Sequence, residues 1–130
     1  MSRLMSVAMT TDAVIERRKT VTRRKGWWVD KNGRRLLSVG DTLTLCRKVQ
    51  GRKPGEPIER LADVEVVDIR REVLSDLLVM PNYGRSEVAA EGFPGMAAGD
   101  FVHRYFVEAQ GFDHDDEVTR IEWRYLGSDR

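Results

Sequence analysis

The chain has one cysteine and two histidines in 130 residues, and each scarcity closes off a class of protein. A lone Cys46 cannot form an internal disulfide. Within the apolar run Leu43-Thr44-Leu45-Cys46 it reads as a small buried hydrophobe. With only His103 and His114 beside it there is no zinc-ligand spacing, so no metal and no other cofactor is expected. No apolar run nears the ~20 residues that span a bilayer. The apolar segment 4–9 is too short and too poorly flanked for a secretory signal. The expectation is a cytoplasmic protein with no membrane partner. Internal repeats, low-complexity tracts and heptads are also missing.

What is there looks ordinary until the charges are located. The composition is 41% hydrophobic and 33% charged, as in common soluble domains. A chain of this length buries about two thirds of its unfolded surface, so residues 1–130 are expected to form one domain. The 22 Lys and Arg nearly balance the 21 Asp and Glu, for a net charge of +1. The basic character is instead local. Glu16-Arg17-Arg18-Lys19-Thr20-Val21-Thr22-Arg23-Arg24-Lys25 holds six cations and two hydroxyls. A local field of that kind suits an anion-binding site better than a general polycation, the alternative being a solvated basic turn.

Patterning supplies the frame. Residues 4–10 read as a strand, and Thr11 or Asp12 can cap a short helix running to Arg18. The β-branched Thr20-Val21-Thr22 then favours extended chain. In a flat strand Lys19, Val21 and Arg23 would share one face and Thr20 and Thr22 the other; a twist or turn is needed to bring Lys19 and Thr22 together. Residues 26–35 read as a loop or hairpin around Asn32-Gly33. Strands are expected over 42–45 and 58–69, the latter strongly bent, with a loop at 50–57. Ser86 can cap a helix ending at Glu91, with Gly92 in the left-handed position and Pro94 stopping continuation. Helical spacing of Phe101, Val102, Tyr105, Phe106 and Ala109 predicts a helix over 97–109. In the final strand, 118–126, Thr119, Ile121, Trp123 and Tyr125 share one face, with Arg120, Glu122 and Arg124 on the other.

The order of these pieces resembles the ASCH domain, a branch of the PUA-like superfamily. The residues that carry the resemblance are Arg18-Lys19-Thr20-Val21-Thr22-Arg23, the strand opening Val39-Gly40-Asp41-Thr42-Leu43, Glu91 at a helix end followed by the 101–106 helix, and the closing Ile121-Glu122-Trp123. It implies an α+β fold, a small mixed β-barrel with flanking helices, and RNA or a modified nucleoside as partner. Some bacterial ASCH proteins that the chain resembles remove the acetyl group of N4-acetylcytidine with a Lys, a Thr and a Glu. By that resemblance the roles fall on Lys19, Thr22 and Glu91. Arg17 departs from the pattern, standing where the family often has a small residue.

The chemistry is coherent on its own terms. A threonine hydroxyl needs a neighbouring base, and burial or nearby cations can depress a lysine enough to serve. Arg18, Arg23 and Arg24 are expected to bind anions, and Trp27 and Trp28 offer platforms for bases. Three readings follow: an amidohydrolase, a non-catalytic nucleic-acid reader, and a ribonuclease acting through a ribose 2′-hydroxyl.

Overall fold

The computed structural model describes residues 3–127. Five strands form one open, curled half-barrel sheet: β1 (Arg3–Ser6), β2 (Val21–Arg24), β3 (Thr42–Cys46), β4 (Arg60–Val73) and β5 (Glu117–Tyr125), in spatial order β1-β3-β4-β5-β2. β1 runs parallel to β3 and the other pairings are antiparallel. Both β1 and β2 are therefore edge strands. The helices are α1 (Thr11–Ile15), α2 (Asp76–Val79), α3 (Pro81–Ala90) and α4 (Ala98–Val102), the last continued by a π-helical turn over His103–Glu108.

The bent strand expected over 58–69 is longer than predicted, and its bend has a local cause. Val66 pairs with Trp123, but Asp68 pairs with Glu122, leaving Val67 as an extra residue. A bulge of this kind shifts the side-chain alternation. Val64, Val66 and Ile69 thereby pack with Ile121 and Trp123 in one core, while Glu72 turns to the helical side. A second core joins Leu74, Leu77, Val88, Phe101, Val102, Phe106 and Phe112 to Val118. Cys46 is fully buried, as expected, and burial pushes its thiol upward.

Three expected boundaries move. The first strand stops at Ser6 and gives way to a 3-10 turn over Ala8–Thr10. The following helix ends at Ile15 rather than Arg18, because Arg17 adopts φ 61° and reverses the chain. A side chain there is strained where glycine is not, which gives physical content to the departure at Arg17; its guanidinium lies over the Tyr125 ring. The third helix begins at Pro81, a residue suited to the first helical position. Ser86 is exposed within it and caps nothing. α2 was not foreseen. Gly92 follows Glu91 with φ 112°, as predicted.

α3 rests on α2 and α4 through Gly84. A Cβ there would stand 2.2 Å from the Leu77 carbonyl oxygen and 3.2 Å from the Ala98 Cβ. Gly84→Ala is expected to cost about 1–3 kcal/mol through forced separation of the helices. Urea unfolding checks this; unchanged stability would mean that α3 slides freely over α2.

Candidate functional site

The open sheet leaves a gap between its two edge strands, and the basic segment lies in it. β2 pairs on one side only, with β5. Around its free edge, side chains from both of its faces reach one space. A cavity of about 280 Å³ is lined by Lys19, Thr22, Arg23, Arg24 and Glu91, by Ser6 and Val7 at the end of β1, and by an aromatic wall of Phe93, Phe101, Tyr105 and Phe106. Phe93 stacks on Tyr105 at 4.6 Å between ring centroids. The reversal at Arg17 and the free edge of β2 together provide the turn that Lys19 and Thr22 needed.

Lys19 is held from behind. Its carbonyl accepts hydrogen bonds from Trp123 Nε1, at 3.0 Å, and from the Tyr125 hydroxyl. The Thr20 N–H donates to Ala90 at the end of α3, tying the segment to the helix that carries Glu91. Lys19 Nζ donates to Glu91 Oε1 at 3.0 Å and to the Glu91 carbonyl at 2.8 Å. Lys19 is 2% exposed and Glu91 3%, so this is a desolvated pair. Burial is the strongest influence on the Lys19 ammonium and pushes it below the ordinary lysine range; Glu91 opposes that fall, while Arg24 and Arg23 add to it.

Arg23 borders the cavity, and its guanidinium is occupied by carboxylates. Its side chain is fully buried: Nε donates to Glu72 Oε1 at 2.7 Å, Nη1 to Glu91 Oε2 at 3.0 Å and Nη2 to Glu87 Oε1 at 2.5 Å. Nη2 also reaches the Tyr83 hydroxyl at 3.4 Å. Desolvation would loosen its proton, but the three carboxylates outweigh that and hold it more firmly than usual. Arg120, its direct cross-strand neighbour, is buried as well. It clasps Glu87 through Nε and Nη2 at 2.6 and 3.1 Å and Asp68 through Nη1 at 3.0 Å. Arg120 is thus held in an internal ion pair.

Tyr83, Glu87 and Glu91 form one stripe along α3, at the four-residue spacing that puts side chains on the same helix face. That stripe meets Arg23, Arg120 and Glu72. Buried Lys19, Arg23 and Arg120 balance buried Glu72, Glu87 and Glu91. Among the described residues no buried side-chain polar atom lacks a hydrogen-bond partner. Sequence reasoning missed Glu72, Tyr83, Glu87 and Arg120; the helical stripe was the available signal.

Arg24 differs from Arg23. Its Nη2 donates to the Ser6 carbonyl at 2.6 Å, bridging the two sheet edges, and its Nε donates to Thr22 Oγ1 at 3.3 Å. No carboxylate lies within ion-pair distance of it among the described residues. Burial lowers its pKa, with Glu91 opposing. It is the cavity cation with unspent attraction for a ligand oxygen.

Arg18 is exposed and paired with Glu16 at 2.6 Å, outside the cavity. Trp27, with φ 70°, packs against the first core, and Trp28 lies under Arg35, 3.6 Å from its ring centroid. Neither indole lines the cavity. His103 is exposed, its Nε2 3.7 Å from Glu108. No cluster of three or more potential metal-ligating residues occurs among the described residues, and no helix there is long and apolar enough to cross a membrane.

No family model matches the sequence, and no curated protein matches it. Solved structures are similar in fold. Protein EF3133 from Enterococcus faecalis V583, described by the family model DUF984, has a TM-score of 0.65 over 97% of this chain and 80% of that one, at 12% identity. An ASCH domain from Lactobacillus crispatus JV V101 has a TM-score of 0.53 over 90% and 70%, at 15% identity. Hypothetical protein PH0355 has a TM-score of 0.56 over 97% and 100%, at 18% identity. The chain therefore has an ASCH-like α+β fold, and at these identities the likeness speaks to fold alone.

Proposed function

We propose that the cavity binds a nucleoside derived from RNA and hydrolyses an acyl amide on its base, N4-acetylcytidine being the substrate to test first. The observation that carries this reading is the convergence of Lys19, Thr22, Arg24 and Glu91 on one small cavity with an aromatic wall. Its volume lies near the lower limit of small-molecule sites, about 300 Å³. That scale suits one base and its acyl group.

In this reading each residue has a role. Neutral Lys19 takes the Thr22 hydroxyl proton, and Thr22 Oγ1 attacks the acyl carbon. Arg24, already donating to Thr22 Oγ1, favours the forming alkoxide and then the oxyanion. The lysine proton passes to the departing cytidine nitrogen, the C–N bond breaks, and an acyl ester remains on Thr22. Water activated by Glu91 hydrolyses the ester, releasing the carboxylic acid and restoring the hydroxyl. Arg23 binds no substrate in this scheme; its Nη1, 3.0 Å from Glu91 Oε2, orients that carboxylate.

The test is incubation of purified protein with N4-acetylcytidine, with conversion to cytidine followed chromatographically. Turnover is expected in the native protein and its loss in Lys19→Ala, with the fold retained by circular dichroism. No conversion by native protein, or full conversion by the variant, overturns the assignment.

A further inference from the structure

We infer that a second surface, outside the cavity, binds a single-stranded polynucleotide: the patch formed by Lys25, Trp28, Arg35 and Arg71 with the adjoining loop cations Lys31 and Arg34. Cations are common on this protein, but most of those around the cavity are spent on carboxylates. These are not. No carboxylate lies within ion-pair distance of Lys25, Lys31, Arg34 or Arg35 among the described residues. All four are exposed.

The arrangement around them is built by the chain. Asp30 Oδ1 accepts from the Asn32 and Arg34 backbone N–H groups, and Val29 bridges Arg35, so the loop is closed into a short hairpin. The Asp30 carboxylate is thus engaged within its own turn. Hairpin closure places the Arg35 guanidinium 3.6 Å from the Trp28 ring centroid, with Arg71 at 6.0 Å. Arg71 in turn donates to the Lys25 carbonyl and to Thr119, and pairs with Glu117 at 3.3 Å. The patch counts five cations against the two carboxylates Asp30 and Glu117.

A cationic plate of this composition fits phosphodiesters with planar bases. Guanidinium planes and indoles both stack bases, and the outer face of the exposed Arg35, backed by Trp28, is a ready plate. Unpaired lysines and arginines beside it neutralise phosphates and release counterions. An acidic peptide would satisfy the charge but not use the plate.

The patch adjoins the cavity. Lys25 directly follows Arg24, and its Nζ sits 5.3 Å from the Phe112 ring centroid. Phe112 packs at 5.5 Å on Phe106, a cavity-wall residue. A strand on the plate therefore has a short path to deliver a neighbouring base to the cavity. That last step rests on the nucleoside reading of the cavity, whereas the surface itself does not.

The experiment separates the two. Binding of a fluorescein-labelled oligouridylate of about 12 nucleotides, within the usual 4–16 of single-strand sites, is measured by anisotropy at several salt concentrations. Native protein should bind, with affinity falling as salt rises. Arg35→Ala and Trp28→Ala should each weaken binding by about tenfold through lost stacking. Lys25→Ala should lower the logarithmic salt slope by about 0.7, the single-strand value per phosphate contact. Turnover of free N4-acetylcytidine should be unchanged in Arg35→Ala. Equal binding of the deoxy-oligomer supports the surface and assigns no role to the 2′-hydroxyl. No binding by native protein, salt-independent binding, native affinity in Arg35→Ala and Lys25→Ala, or equal competition by polyglutamate overturns the inference, whatever the fate of the hydrolase reading.

Discussion

Arg23→Ala is expected to destabilise the protein by about 3–5 kcal/mol, the usual consequence of removing one partner from a buried ion pair. The side chain is fully buried and holds Glu72, Glu87 and Glu91 at once. Its removal leaves the interior with more negative than positive charge and no water to absorb the difference. For a chain of this size the loss corresponds to a fall in Tm on the order of 10–20 °C. The pH dependence should change in a defined direction. In the native protein burial would raise the Glu87 pKa from its ordinary 4.5, but hydrogen bonds from Arg120 and Arg23 outweigh burial and lower it. Glu87 therefore contributes stability that is fully present above that ordinary value and is lost as pH falls through its lower folded one. Without Arg23 the folded pKa rises, so acid unfolding should begin at a higher pH. Thermal melts of both proteins from pH 7 to pH 3 test this; a loss below about 1 kcal/mol, the range of exposed pairs, would mean that water reaches the network.

Much of this frame was legible in the sequence, and the parts that were not have a common reason. β5 announced itself by strict alternation, and its inward face does carry Ile121 and Trp123. Gly92 marked the helix end because only a left-handed residue could follow Glu91 there. The cavity's cations were visible as a run, but their partners were not, since Glu72, Glu87 and Glu91 lie at least 49 residues from Arg23 along the chain. A charge run read alone looks solvated, and which of its members are paired is decided by tertiary contacts. Arg23 and Arg24 are adjacent, yet among the described residues one is saturated with carboxylates and the other pairs with none, because strand alternation sends them to opposite faces of β2. The stripe Tyr83, Glu87 and Glu91 could have disclosed the network. Starting the helix at Ser86 removed Tyr83 from view and left Glu91 looking like an ordinary terminal glutamate. Nor does a periodicity reading show an inserted residue such as Val67, which aims Glu72 at Arg23 by shifting the pleat.

Glu91→Gln should lower turnover of N4-acetylcytidine by about 10²–10⁴-fold, the typical contribution of a positioned acid or base, and should also move the pH profile. The two effects have separate origins. In the native protein only neutral Lys19 can accept the Thr22 proton, so the rate should rise with pH and level off below the ordinary lysine value of 10.5, in line with the depressed ammonium. Burial drives that depression, and the Glu91 carboxylate resists it by coulombic attraction and a hydrogen bond. Glutamine keeps a hydrogen-bond acceptor for Lys19 but removes the charge. The ammonium then loses its main support while burial, Arg24 and Arg23 still act against it, so its pKa falls further and the midpoint of the rising limb should shift to lower pH. Arg23 retains Glu72 and Glu87, so the fold should survive a change that leaves the side-chain shape intact. A lower plateau together with an acid-shifted midpoint would assign Glu91 both roles. A shift with an undiminished plateau would make it a counter-ion alone, with water activated elsewhere. A fixed midpoint would remove Lys19 as the titrating base, because no group responsible for the rising limb could lose a carboxylate 3.0 Å away and titrate as before.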